Sequence, residues 1–214
     1  MGTHCRVCLG KELDFFYRQE DLVYWSCSSC QAVLLDEKKL PDAHEELKRY
    51  QEHNNYPVDA GYRNFLNRLA SPLLQKIPGR SLGLDYGCGP GPALSVILKK
   101  AGHRVELYDP FFYPDKIVLE QKYSFITCSE VVEHFHRPYE EFVRLDKMLC
   151  PGGWLGIMTC FFLPGHDFGQ WHYRRDPTHV VFYQPQTFHL LAGMFGWSCE
   201  IPVPNVVLMQ KNRF

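Results

Sequence analysis

The chain has no run near the roughly 20 apolar residues that a membrane-spanning helix needs, so no membrane is expected as a partner. Its first residues also lack the charged and apolar segments of a secretory leader. It has no excess of charge: 23 basic and 24 acidic residues leave a formal −1, which gives no electrostatic reason to expect nucleic acid as a bulk partner. An even cysteine count is missing as well. Nine cysteines, four of them in a spaced pattern, argue against a disulfide framework and for a reducing compartment, so a cytoplasmic location is expected. What remains is ordinary globular material, 45% hydrophobic and 14% aromatic over 214 residues. That suffices for one sizeable domain and a small appendage.

A more telling absence lies at Leu84-Asp85-Tyr86-Gly87-Cys88-Gly89-Pro90-Gly91, a short apolar run that breaks into alternating glycines before a helix. Such a turn lets a nucleotide approach the backbone and the start of the helix. A dinucleotide fingerprint would place glycine or alanine three residues after Gly89, and that residue is Pro92, which opens helices. Pyrophosphate therefore loses ground. Asp85, two residues ahead of Gly87, can receive an amine or hydroxyl across the turn, which suits a ligand with an amino-acid tail. Asp109, at the end of the second predicted strand, stands where a ribose hydroxyl pair is held in such folds; the plain alternative is a turn-forming aspartate before Pro110.

The four spaced cysteines are Cys5-x2-Cys8 and Cys27-x2-Cys30, eighteen residues apart. Two such knuckles supply four thiolates for a closed tetrahedral zinc site, and the residues between them read as a hairpin turning at Gln19 to Asp21. We therefore expect a zinc ribbon over 1–35. Residues 36–80 read as a helical linker, with a helix starting at Leu40-Pro41-Asp42 and an amphipathic one carrying Tyr62, Phe65, Leu66 and Leu69. Ser71-Pro72 is expected to open a further turn running to Gly79.

From 81 to 214 strands and helices alternate, which predicts an α/β sheet. Expected strands are Ser81–Asp85, Arg104–Tyr108, Ile117–Glu120, Tyr123–Cys128 and Trp154–Thr159, the last reached through a Pro151-Gly152-Gly153 turn. Expected helices are Pro92–Ala101, Pro138–Leu149 and Thr187–Phe195. Trp197–Ile201 and Val206–Gln210 are expected to close the sheet as an antiparallel pair. The irregular stretch 161–183 is the kind of long loop that carries function. His4, His44, His53 and His103 read as surface or capping residues, and Cys150, Cys160 and Cys199 as core packing.

Residues 60–210 resemble the class I S-adenosylmethionine-dependent methyltransferases. The resemblance implies a Rossmann-like seven-stranded sheet with helices on both faces, preceded here by the ribbon. It implies S-adenosylmethionine held by Asp85, Gly87, Cys88 and Gly89 at the turn, by Asp109 at the ribose, and by Cys128 and Ser129 beside the methionine or adenine. It also places the helices before the first strand over the cofactor, where Tyr56 and Tyr62 either line the site or pack as ordinary aromatics. The region after Asp109 is short for this family, and the ribbon is similar to that of some sugar C-methyltransferases whose extra C-terminal domain has no counterpart here.

Methyl transfer from a sulfonium is a displacement that needs alignment of acceptor, methyl and sulfur. An alcohol acceptor must also lose a proton, for which histidine is the usual base; His134, His172 and His179 are the candidates. Glu130, Glu133 and His134 stand at zero, three and four, one face of a helical turn. This resembles the Glu-x-x-Glu-His of metal-dependent ubiquinone-biosynthesis and small-RNA terminal O-methyltransferases, the latter with a later histidine that His179 matches. The resemblance implies a second metal site for Mg²⁺ or Mn²⁺; a metal-free histidine base and pure positioning are the alternatives. A small-molecule O-methyltransferase is the first expectation. Methylation of an RNA end or ribosomal component, with the ribbon for recognition, is the second, and a non-catalytic ribbon scaffold the third.

Overall fold

The computed structural model describes residues 4–52 and 60–213. His53 and Tyr56 lie outside them.

The cysteine segment folds as two like knuckles around a hairpin. In each, the residue after the second cysteine takes positive φ (Leu9, 61°; Gln31, 65°) and donates its N–H to the carbonyl of the first, Cys5 or Cys27, at 2.9 and 2.8 Å. Strands β1 (Leu13–Gln19) and β2 (Leu22–Cys27) pair antiparallel as the alternation predicts. Two short strands were not legible: β3 (Val33–Leu35) pairs with β2, and β8 (Val181–Phe182), from the far end of the chain, pairs with β3. The ribbon sheet thus has the order β1-β2-β3-β8, its last strand supplied by the loop that was expected to be irregular.

Helix α1 (Ala43–Gln51) starts where expected, with Asp42 capping the N–H groups of His44 and Glu45 while Glu45 returns a bond to the Asp42 N–H. Helix α2 (Ala60–Leu74) runs through Ser71-Pro72 instead of restarting there. Proline lies in its last turn, where the lost bond is the one to the Arg68 carbonyl and little helix follows.

The larger sheet is built from β4 (Leu82–Tyr86), β5 (Arg104–Tyr108), β6 (Tyr123–Ser129), β7 (Leu149–Met158), β9 (Trp197–Val203) and β10 (Val206–Lys211), in the order β5-β4-β6-β7-β10-β9. The four central and edge strands up to β7 are parallel; β10 is antiparallel to β7 and to β9. Six strands, where seven were expected, is the count among the described residues. Residues 110–122 are too few for a helix and a further strand, and the expected strand Ile117–Glu120 lies in a 3₁₀ turn, Lys116–Glu120, capped by Asp115. The Pro151-Gly152-Gly153 turn is a bulged stretch of β7, with Gly152 at φ 77°.

Alternation along the strands sorts the core into two layers. Phe125, Met158, Val206 and Leu208 pack under α2 and α3 (Ala93–Lys100). Ile126, Ile157, Val207 and Met209 pack with α4 (Pro138–Met148), α5 (Pro185–Phe195) and the ribbon's buried residues. Helices therefore cover both faces, as expected. His103 is not a surface residue: it is 7% exposed, edge-on to Phe125 at 5.5 Å, and burial lowers its pKa. Among the described residues no helix is long and apolar enough to cross a membrane.

Candidate active site

At the carboxyl ends of the parallel strands lies a cavity of about 860 Å³. Asp85, Gly87, Cys88 and Gly89 line it from the β4 turn, Asp109 from the end of β5, Ser129 and Glu130 from the end of β6. The first of these is sealed in. Asp85 is 3% exposed and accepts a hydroxyl bond from Thr127 at 2.9 Å; burial, against that bond, pushes its carboxyl up to about 6. A buried acid facing a cavity in this way favours a cationic group there.

The glycine turn folds back on β5. Gly87 and Cys88 donate to the Tyr108 carbonyl at 2.8 and 3.2 Å, and Gly89 to Asp109 Oδ2 at 3.0 Å. With three amides so engaged the turn has none of them left to cradle a phosphate, consistent with the reading against pyrophosphate. Gly87 is required twice over: its φ is 76°, and a Cβ would come within 2.5 Å of Val131. Asp109 holds the turn and its own loop, its Oδ1 accepting from Phe111 and Phe112 at 2.9 and 3.1 Å. A carboxylate has room for about four bonds, so these three leave capacity for one ligand hydroxyl.

Cys128, expected beside the cofactor, lies elsewhere. It is fully buried on the face of β6 that packs against the α4–α5 layer and does not line the cavity, because side chains on a strand alternate and Ser129 takes the open side.

On the opposite wall, His134 and His179 meet with ring centroids 4.7 Å apart, and Tyr50 of α1 closes edge-on over His134 at 5.3 Å. Nδ1 of His134 lies 3.0 Å from the Thr178 carbonyl and Nδ1 of His179 lies 2.6 Å from that of Tyr173. A carbonyl only accepts, so Nδ1 is the donor in each of these bonds. Behind them Glu133 is fully buried, accepting from the hydroxyls of Thr159, at 2.9 Å, and Tyr173. His172 lines the same wall but is exposed.

Glu130, Glu133 and His134 do not share a helical face. Glu130 takes φ 53° before a 3₁₀ turn at Val132–His134, which breaks the expected spacing. Among the described residues the ligand atoms of Glu133, His134 and His179 come within 4.8 Å of one another, and Glu130 is not of that group. Burial and the neighbouring Glu133 push the Glu130 carboxyl up to about 9. Two imidazoles and one carboxylate whose oxygens already accept two hydroxyl bonds do not make the oxygen-rich set that Mg²⁺ or Mn²⁺ prefers.

Helix α1 was read as a connector, yet Glu46, Arg49 and Tyr50 line the cavity. Their zero, three, four spacing was the available signal. Arg49 pairs with Asp176 at 2.9 Å and Glu46 lies 3.3 Å from His136, so the helix is tied to both histidine segments. Tyr62 and Leu66 of α2 also face the cavity.

A parallel sheet with an antiparallel end, an acid before a glycine turn and a second acid closing it describe an S-adenosylmethionine-dependent methyltransferase. The chain belongs to the methyltransferase domain family whose model matches residues 50–200. Sequence comparison with curated proteins finds no match. Among solved structures it is similar to an O-methyltransferase family protein from Burkholderia thailandensis, at 16% identity and TM-score 0.51 over 81% of this chain; it spans 65% of that protein, just under two thirds of its length. It is also similar to a chain of the complex between the Haloferax volcanii Trm112 methyltransferase activator and its candidate methyltransferase, at 11% identity and TM-score 0.53, over 80% of this chain and 97% of that one. At such identities the likeness concerns the fold.

Proposed function

We propose that this methyltransferase acts on an oxygen of a small hydroxylated molecule, with an imidazole of the His134–His179 pair as base. The observation that supports this reading is the shared cavity: the acidic cradle at Asp85 and Asp109 and the paired histidines face one space. S-adenosylmethionine would supply an electrophilic methyl on a sulfonium. Its ammonium would be received by Asp85, a hydroxyl of its ribose by Asp109, and its approach to the backbone would use Gly87 and Gly89. Cys88 and Ser129 would line its flank. One of the paired rings, held in place by its Nδ1 bond, would receive the acceptor proton. Tyr50, edge-on to His134, excludes water above that ring. No divalent ion is assigned at Glu133.

The four cysteines fit zinc. Cys5 Sγ lies 3.6 Å from Cys30 Sγ, and Cys8 from Cys27 by the same distance; a tetrahedron with Zn–S of about 2.3 Å has edges of about 3.8 Å. Four thiolates close the site, so its metal would be structural. Cysteines free of disulfides suit a reducing, cytoplasmic setting.

A panel of hydroxylated small molecules, screened for release of S-adenosylhomocysteine, tests the reading. With the best acceptor, His134→Asn and His179→Asn are expected to lower kcat, one of them by about 10² or more, while S-adenosylhomocysteine affinity by calorimetry changes little. Turnover retained in both variants would remove the histidine base from the proposal.

A further inference from the structure

The histidine wall of the large cavity is also a wall of a second one. Arg175, Asp176 and His179 face both. The second cavity, about 390 Å³, is completed from the ribbon by Leu22 and Tyr24 of β2 and Leu35 of β3. Its volume lies in the range of small-ligand sites, which run from about 300 to 1,000 Å³. One end is therefore apolar and made by the ribbon, and the other is the segment that carries His179.

The charges around it are unevenly matched. Its two acids are engaged: Glu45 accepts the Asp42 N–H in the α1 capping box, and Asp176 pairs with Arg49 and accepts the N–H and hydroxyl of Thr178. Lys39 pairs with Asp21. The two arginines on this cavity have no carboxylate partner among the described residues. Arg174 is 7% exposed and donates to the Phe168 and Gly169 carbonyls and to Gln19 Oε1, at 3.1, 3.0 and 2.7 Å. Arg175 donates to Gln170 Oε1 at 3.1 Å. These acceptors are all neutral and Arg174 otherwise lies over the rings of Tyr17 and Phe168, so neither guanidinium is matched by a carboxylate; Arg175 is exposed, and Arg174 is deeply buried, where an anion gains far more than it would in open water.

We propose that this cavity is an annex of the acceptor site that takes an anionic group on an apolar body. The acceptor is then an amphipathic organic acid: its hydroxyl lies at the His134–His179 wall, its body rests on Leu22, Tyr24 and Leu35, and its carboxylate, phosphate or sulfate meets Arg174 and Arg175. The proposal rests on the reading of the large cavity as the methyl-transfer chamber. It gives the ribbon a part in choosing the acceptor.

The full-length, zinc-loaded chain saturated with S-adenosylhomocysteine is titrated with 8-anilinonaphthalene-1-sulfonate, an apolar body bearing one anion, and with uncharged N-phenyl-1-naphthylamine. The sulfonate is expected to bind saturably, about tenfold more tightly than the amine, and to weaken about tenfold in Leu22→Asp and several-fold in Arg175→Ala. Leu22→Lys, equally disruptive to packing but of opposite sign, should bind the sulfonate more tightly than Leu22→Asp does. Octanoate and octyl phosphate, added as competitors, separate a carboxylate site from a phosphate site. Equal binding of sulfonate and amine, indifference to all three substitutions, or displacement by neither competitor overturns the proposal. Calorimetry on the same samples keeps the two readings apart: no S-adenosylhomocysteine binding in the parent chain sinks the methyltransferase chamber itself, whereas intact binding with an indifferent sulfonate sinks the annex alone.

Discussion

Asp85 and Glu133 are both sealed from water, and the fold treats them differently. Asp85 has one hydroxyl partner and faces the chamber, and burial lifts it from 3.8 to about 6. An acid whose folded pKa exceeds its unfolded value makes the ligand-free protein less stable as pH rises between those two values. Asp85→Asn is therefore expected to stabilise the ligand-free chain at neutral pH by up to about 3 kcal/mol, read as a higher urea midpoint. The same substitution should weaken S-adenosylhomocysteine at least about tenfold, and the parent's affinity should fall as pH drops through about 6. A variant that lost stability and kept the ligand would remove Asp85 from the cradle. Glu133, in contrast, is raised by burial to about 7 while two hydroxyls oppose the shift. Its carboxyl ties Tyr173 and Thr159 to the residue before His134. Glu133→Ala should cost about 1–3 kcal/mol, because the buried hydroxyls of Thr159 and Tyr173, 3.2 Å apart, keep only each other as partners, and Glu133→Gln, which can still accept, clearly less; denaturant unfolding of both variants decides.

Among the elements, the glycine turn and the β3–β8 ladder carry the two halves of the site. Gly87→Ala brings strain at φ 76° and a clash with Val131, so a loss of about 1–3 kcal/mol together with weaker S-adenosylhomocysteine binding is expected by melting and calorimetry. The turn, both knuckles, the hairpin and the capped start of α1 were legible because each depends on residues near one another in sequence. The ladder was not. Strands of three and two residues, far apart in the chain, offer no periodicity to read, and only the fold brings them together. The same limit explains the Glu130–Glu133–His134 spacing, which assumes a helix that the left-handed Glu130 prevents, and Cys128, whose side of the strand depends on a register shared with neighbours. Pro72 misled for the opposite reason: a local breaker was tolerated because α2 ends soon after it.

At the scale of the molecule the cysteine-bearing sheet is stitched to the wall that carries His134 and His179. Leu35 donates to the Val180 carbonyl at 3.0 Å while Val180 donates to that of Glu133 at 2.9 Å, and Thr187 reaches the Cys30 carbonyl at 2.8 Å. Arg6, inside the first knuckle, donates to the His136 and Leu35 carbonyls at 2.8 and 2.7 Å. Stripping the zinc proposed at the four cysteines with a chelator is therefore expected to speed amide exchange at 180–182 and 133–136, leaving β4 and β5 protected and S-adenosylhomocysteine bound; exchange confined to residues 4–35 would show the two parts to be independent. Histidine geometry would then depend on a metal that touches no reactant.

Pairing between β3 and β8 also bears on how the chain reaches this state. A ladder between sequence-distant segments costs closure entropy that local contacts do not, so it forms once the larger sheet has brought its partners near. The hairpin can gather its thiolates early, but its sheet keeps an open edge until then. For that interval the ribbon is a template for the wrong strand, and slow refolding at high protein concentration should end in aggregates seeded there.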